Sequence, residues 1–358
     1  MKPIEIPPGV VVSPSKRTRS SYWRENNLVR WVDGKLKPFK GWVDIGYADF
    51  ATNCRAIHKW YDNAGQVYTA YLCEEHCYVD DGTTLIDVSP VVPITPPISG
   101  DFAFGGYGDS TYNTGTYGTV RPSYPRSANY TPCYSIDNWG EDLVFMTSAD
   151  GRLLRWKTST PLVKAEAVPN APANNRSFCV TSERFVLLFG AGGNDADIAW
   201  CDQENIENWD FASLSTKAGT ISTEPKSPIV TQKKSGNDAI VFTDRSVGVV
   251  RFQGLPYIYG YERIVDTPIP YSSASIAEVS DGVIWASMAG FWVFNGVNVA
   301  PLPCSVWNWI EDAIDDSGSK YFAHCFVSTV TSEMFWFFSS GNEVGQADRY
   351  VVFDYKEK

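Results

Sequence analysis

Glu141-Asp142, and Glu204 with Glu207 beside Trp209, come closest in this chain to residues whose types and spacing could break a bond. Glycoside hydrolysis needs two carboxylates about 5–10 Å apart, one with a raised pKa, usually with aromatic platforms beside them. Both groups meet this by residue type alone. Adjacent carboxylates on one strand point to opposite faces, which weakens Glu141-Asp142 as a working pair. Cys73-Glu74-Glu75-His76-Cys77 resembles half of a metal site. With 3 histidines in the whole chain and no second closely spaced cysteine pair, a zinc tetrahedron lacks ligands. The simpler reading has Cys73 and Cys77 facing each other across a short turn. His58, His76 and His324 sit in apolar runs or tight turns with no Gly-x-Ser-x-Gly elbow nearby, which sets nucleophilic triads aside. The expectation is a protein that is not an enzyme and holds no cofactor or metal.

Residues suited to contact rather than catalysis lie in two other stretches. Lys16, Arg17 and Arg19 form a basic cluster behind the proline-rich run from Pro3 to Pro14. Such a cluster is either a solvated arm or a contact to phosphate or an acidic partner. Tyr107, Tyr112 and Tyr117 recur on a glycine-rich background within residues 93–132, which hold almost no aliphatic side chains. That composition cannot bury a core. It reads equally as a disordered insertion or as a contact loop, since tyrosines on a flexible backbone make adaptable interface.

Bulk properties narrow the classes. A net charge of −11 argues against gripping nucleic acid, which needs a basic face. It is compatible with simple solubility, or with a surface past which DNA slides without sticking. Met1-Lys2-Pro3-Ile4-Glu5 carries no export signal, so the 8 cysteines read as buried thiols in a reducing compartment. Residues 282–310 are uncharged and long enough to span a membrane. Their asparagines, prolines and the Phe294-Asn295-Gly296-Val297 turn read instead as a buried hairpin, and no membrane span is expected.

The elements behind these residues are strands. Aromatic content is 14%, with 13 Trp, 19 Tyr and 19 Phe, the side chains that pack best on a pleated face. Tyr134–Trp156 sets the pattern: short apolar runs broken at Asn138-Trp139-Gly140 and at Asp150-Gly151, the latter a strong hairpin signal. Leu28–Leu36 repeats it around Asp33-Gly34. Further meanders start near Cys54, Arg176, Ile229, Ser275 and Phe322, giving about six units at propeller-like spacings. One helix follows Ser305 as N-cap, with Val306, Trp309, Ile310, Ala313 and Ile314 on one face and Gly318 ending it. The fold class is all-β: a propeller-like array of antiparallel meanders with a Gly/Tyr-rich insertion and one short helix. Residues 1–27 read as an extended arm and residues 28–358 as a single domain.

An ordered set of stretches resembles one family, the tail nozzle or packaged-DNA stabilisation proteins of short-tailed phages. The set begins with Leu28-Val29-Arg30-Trp31, Asp33-Gly34-Lys35-Leu36, Gly41-Trp42 and Leu85-Ile86-Asp87-Val88-Ser89-Pro90. It continues through the Gly-Tyr-Gly insertion at 106–118, Tyr134–Leu143 and Trp200-Cys201-Asp202-Gln203-Glu204-Asn205. Val241-Phe242-Thr243-Asp244 and Arg349–Tyr355 complete it. The resemblance implies a virion protein: a ring subunit, most simply a hexamer, beneath the portal or adaptor connector and near a tail fibre or spike. Double-stranded DNA would be retained by the ring and leave through it without specific binding, and assembly would take place in the host bacterial cytoplasm. Chains of this kind continue past the Tyr350–Tyr355 strand, so either an early strand such as Leu28–Val32 completes the last sheet or this version is short. Sequence does not choose the lumen residues: acidic residues in connectors or near the helix end (Glu204, Glu207, Asp312, Asp315, Asp316) read either as a solvated acidic surface or as part of an acidic lumen. From the residues alone, the rival is a glycan-binding or glycan-hydrolysing propeller of a phage or bacterium. A peptide-binding scaffold propeller is a third reading, which regular repeats would favour and these irregular ones do not.

Overall fold

The structure is a computed structural model, and it describes residues 9–11, 23, 26, 28–32, 35–38, 50–96, 132–266, 269–280, 282–314, 323–340 and 347–356. A strand pair comes first: β1 (Val29–Val32) pairs with β2 (Lys35–Pro38) in the register Val32↔Lys35. Six antiparallel meanders follow. Blade one holds β3 (Cys54–Tyr61), β4 (Val67–Cys73), β5 (Cys77–Asp80) and β6 (Leu85–Asp87). Blade two holds β7 (Tyr134–Trp139), β8 (Asp142–Thr147), β9 (Leu154–Trp156) and β10 (Glu166–Ala167). Blade three holds β11 (Ser177–Val180), β12 (Val186–Phe189), β13 (Asp197–Trp200) and β14 (Gly219–Ser222). Blade four holds β15 (Ile229–Ser235), β16 (Asp238–Thr243), β17 (Ser246–Gly254) and β18 (Ile258–Asp266). Blade five holds β19 (Ile276–Val279), β20 (Gly282–Ser287), β21 (Gly290–Phe294) and β22 (Val299–Leu302). In blade six the described strands are β23 (His324–Ser328), β24 (Glu333–Phe338) and β25 (Arg349–Asp354).

The first strand of each blade packs against the first strand of the next, β3 on β7, β7 on β11, and so on to β19 on β23. First strands that touch while later strands fan outward make a propeller. The chain is therefore a six-bladed β-propeller, all-β apart from one short helix, as its meanders predict. Apolar residues on facing blade surfaces fuse into five buried clusters. Trp60, Leu72, Val79, Phe145 and Trp156 fill the seam between blades one and two. Val144, Met146, Val186 and Leu188 fill the next, and Phe185, Leu187, Val241 and Tyr259 the one after. Phe242, Val249, Trp285 and Phe294 join blades four and five, and Ala286, Phe291, Trp336 and Phe338 join five and six. Removal of these faces from water is the main stabilising term of the ring. Among the described residues no such cluster joins blade six to blade one. There Ile57 on β3 is 64% exposed and Phe326 on β23 is 52% exposed.

Several local expectations are corrected. Strand β7 runs through Trp139, so the break falls at Gly140-Glu141 rather than at Asn138-Trp139-Gly140. Asp150-Gly151 is not a two-residue turn; Gly151 N–H donates to the Thr147 carbonyl, one residue further back than a β-turn. The helix α1 (Trp307–Ala313) has Val306 as its N-cap with no side-chain cap, and Ile314 ends it. Ser305 turns away and donates to the Val10 carbonyl (2.5 Å), while Gly318 lies outside the described residues. Among the described residues strand β1 pairs only with β2 and does not complete blade six, to which it is tied through Arg30 and Glu333 (3.7 Å). Cys73 and Cys77 flank a tight turn, but the residue opposite Cys77 is Leu72, and Cys73 stands opposite Cys54. Five of the cysteines are buried and three half-buried, and all eight are free thiols. The uncharged stretch 282–310 forms β20, β21, β22 and the start of α1, and no described helix is long and apolar enough to cross a membrane.

Candidate functional site at the turns of blades one to three

A cleft of about 370 Å³ opens where the first turns of blades one, two and three lie side by side, lined by Asn63, Trp139, Gly140, Glu141, Asp142, Arg155 and Arg184. Its centre is the β7–β8 turn. Gly140 adopts φ +63°, which a side chain would strain. This conformation lets the turn close in two residues and sets Trp139 across from Asp142. Because Glu141 sits in the turn, strand alternation does not separate it from Asp142, and both carboxylates reach the same cleft. That overturns the expectation of opposite faces.

The charged groups are already committed to one another. Arg155 on β9 donates to Asp142 Oδ2 through Nε (2.8 Å) and Nη2 (2.6 Å), and Thr158 N–H donates to Oδ1 (3.2 Å). The same guanidinium reaches Glu207 Oε1 at 3.4 Å. Glu141 ties blade one to blade two: its carbonyl accepts the Trp60 indole N–H and its Oε1 accepts Asn63 N–H, both at 2.8 Å. Arg184 lies over the Trp139 ring, 4.7 Å from its centroid, and its Nε donates to Glu204 Oε2 at 3.1 Å. Arg184 and Glu204 both hold left-handed backbone, φ +66° and +62°, in a closed loop where Glu204 N–H donates to the Arg184 carbonyl. Two non-glycine residues in that region store strain that the ion pair and the cation–π contact help to hold.

This arrangement gives a sugar little to use. Both Asp142 oxygens are occupied, Glu141 Oε1 is occupied, and Trp139 is 7% exposed beneath the Arg184 guanidinium. Trp209, the other candidate platform, is buried and donates to the Ile206 carbonyl. Of the sequence candidates, the structure brings Glu141, Asp142, Glu204 and Glu207 to one region, as braces. Asp312 is exposed on α1, away from them. Asp315, Asp316, Lys16, Arg17, Arg19, Tyr107, Tyr112 and Tyr117 lie outside the described residues. Sequence reasoning missed Arg155, Arg184 and Asn63, which are far apart in the chain; the one signal was the Trp-Gly-Glu-Asp turn they surround.

Similar ties run on around the inner strands. His58 Nε2 and Asn138 Oδ1 share a hydrogen bond (3.0 Å) between blades one and two, and Val180 N–H donates to Asp137 Oδ2 (3.2 Å) between two and three. Gln232 Nε2 donates to the Phe178 carbonyl (2.7 Å), and Gly236 N–H to Glu278 Oε1 (3.0 Å), extending the series to blade five. The Asp142–Arg155 pair is the strongest of the cleft, with side chains 15% and 21% exposed. Asp142→Ala is expected to destabilise the fold by about 2 kcal/mol, because it strands a half-buried guanidinium. Adding Arg155→Met to it is expected to restore part of that loss in urea unfolding. Strictly additive losses would show that the pair is not a brace.

No family model matches the chain, and no curated protein does. Solved structures similar to it include BBS1N in complex with ARL6DN, at 13% identity over 86% of this chain and 81% of that one, with a TM-score of 0.44. The dihydro-heme d1 dehydrogenase NirN is similar at 12% identity over 84% of this chain and 59% of that one, TM-score 0.40. A virginiamycin B lyase from Staphylococcus aureus is similar at 10% identity over 63% and 71%, TM-score 0.34. None of them lends this chain a function, and the six-bladed architecture stands on its own strand order and seams.

Proposed function

We propose that this chain is a non-enzymatic virion protein of a tailed phage: a ring subunit of a nozzle beneath the head–tail connector. In this reading the ring retains packaged DNA and forms the conduit for its ejection. It meets the portal or adaptor above and a fibre or spike beside or below, and it assembles in the host cytoplasm. The observation that carries the reading is the commitment of the cleft carboxylates to neighbouring groups: Glu141 to blade one, Asp142 and Glu207 to Arg155, Glu204 to Arg184. Side chains spent on bracing blades, Glu141 and Glu207 between blades and Asp142 and Glu204 within them, suit a part that must bear load rather than turn over a substrate. The net charge of −11 suits a wall along which DNA slides, because phosphates find little to bind. The ordered resemblance along the sequence supports this family reading.

The test is native mass by light scattering, for the full chain alone and after mixing with a purified connector ring. A closed ring species, alone or on the connector, is the expected result, most simply a hexamer. A monomer under both conditions overturns the assembly reading, and glycan binding at the cleft then becomes the hypothesis to measure.

A further inference from the structure

Blade one carries a second, chemically distinct feature, independent of the reading above. Cys54, at the start of β3, stands directly opposite Cys73, at the end of β4. The two thiols are close enough to shift each other's ionisation in opposite directions, and Cys54 Sγ donates to the Ala56 carbonyl (3.5 Å). Residues opposite one another in an antiparallel pair have Cα atoms about 4.5–5.5 Å apart, inside the span that a disulfide bridges. A register shift between Cys54 and Ala56 interrupts the ladder beside the pair. The neighbouring residues hold the two strand ends together: Arg55 donates to Glu74 Oε1 through Nε (3.0 Å) and Nη2 (2.5 Å), and Glu74 N–H donates to the Asn53 carbonyl (3.2 Å). Cys54 is half-buried and reachable from solvent, whereas Cys73 is fully buried behind it.

We propose that Cys54 and Cys73 form a redox couple that closes to a cross-strand disulfide by exchange with a small-molecule disulfide such as oxidised glutathione. The Cys54 thiolate attacks one sulfur of the glutathione disulfide, forming a mixed disulfide and releasing one glutathione thiolate. Contact with Cys54 and burial hold the Cys73 thiol far above its ordinary pKa; the mixed disulfide removes the Cys54 charge, and Cys73 then attacks Cys54 Sγ, its proton passing to the departing glutathione thiolate. Two protein thiols are oxidised and one glutathione disulfide is reduced to two thiols, so atoms and electrons balance. The neighbouring Cys73 thiol holds the Cys54 thiol below its ordinary pKa, favouring the attacking thiolate. Burial pushes Cys179 and Cys201 up to about 12, which leaves them inert. Cys77, also fully buried next to this turn, is held far above its usual range by the same cause. Closing the bridge staples the first two strands of blade one, whose seam with blade six has no described core.

The experiment exposes the native full chain to oxidised glutathione, alkylates the remaining thiols, cuts with a Glu-specific protease and reads the peptides by mass spectrometry. Cleavage after Glu74 and Glu75 separates Cys73 from Cys77. Cys54 and Cys73 lie together on the peptide 26–74, so the expected product is that single peptide closed by an internal disulfide, two hydrogens lighter, with neither cysteine alkylated and no glutathione retained. Cys54 is expected to react at least about tenfold faster than Cys179 or Cys201. In Cys73→Ser, glutathione should stay on Cys54. A lasting glutathione adduct on wild-type Cys54, a Cys73–Cys77 link, or no loss of thiols at all would each overturn the proposal. The wild-type peptides decide this even if the serine variant fails to fold.

Discussion

Replacing Gly282 with alanine is expected to open the pairing of β20 with β21 and to lower stability by on the order of 4 kcal/mol or more. Gly282 holds φ +136°, a backbone region almost closed to other residues. A Cβ there would stand 1.8 Å from the Phe294 carbonyl oxygen, 2.9 Å from its carbon and 3.2 Å from Asn295 Cα. All three are backbone atoms, so no side chain can swing aside to make room. One of the two strands has to move, and Val283 and Phe294, paired in that register, both belong to the blade four–five core. The comparison variant is Gly296→Ala in the neighbouring turn, which also has positive φ (+91°) but nothing within 4 Å of an added Cβ. It carries only the conformational penalty, about 1 kcal/mol. Urea unfolding of the two variants separates the causes. Equal losses would mean that the carbonyl does not obstruct Gly282 and that β20 is placed differently.

How far the sequence foretold this molecule depends on what kind of signal each part needs. The six meanders were legible because inner and middle strands such as Leu143–Thr147 and Ala239–Thr243 are apolar runs between turn residues, and the seams demand that pattern. The outer strands β10 and β14 were not legible. Glu166-Ala167 and Gly219-Thr220-Ile221-Ser222 lie at blade edges, where few apolar neighbours require hydrophobic side chains. The helix was placed correctly by Ile310, which is fully buried, but its cap was misassigned because Ser305 has a tertiary acceptor in Val10. Local propensity yields to such a contact. The cleft failed differently. Its members come from three blades, and nothing local to Asn63 or Arg184 announces that Glu141 is their neighbour. The left-handed backbone of Arg184 and Glu204 is likewise silent in sequence, since neither position is a glycine.

The second large effect is expected at Trp336, and it separates packing from polarity inside one side chain. Trp336 is fully buried in the seam between blades five and six, with ring centroids of Phe338, Phe291 and Tyr271 at 5.2, 5.3 and 6.0 Å. Truncation to alanine removes the ring on which three others rest and leaves a void between two sheets, a loss of about 3–5 kcal/mol. Its indole Nε1 is buried with no hydrogen-bond partner among the described residues, which is itself unfavourable in the folded state. Trp336→Phe keeps most of the ring contacts and deletes that polar atom. Its net loss is therefore expected to be about 1 kcal/mol, far below that of alanine. Unfolding rates suit a protein of this size better than an extrapolated equilibrium, since the seam has to open before the blades separate. A phenylalanine variant as damaged as the alanine one would point to a hidden acceptor for the indole. Blade six would then owe its place to that bond rather than to the aromatic stack.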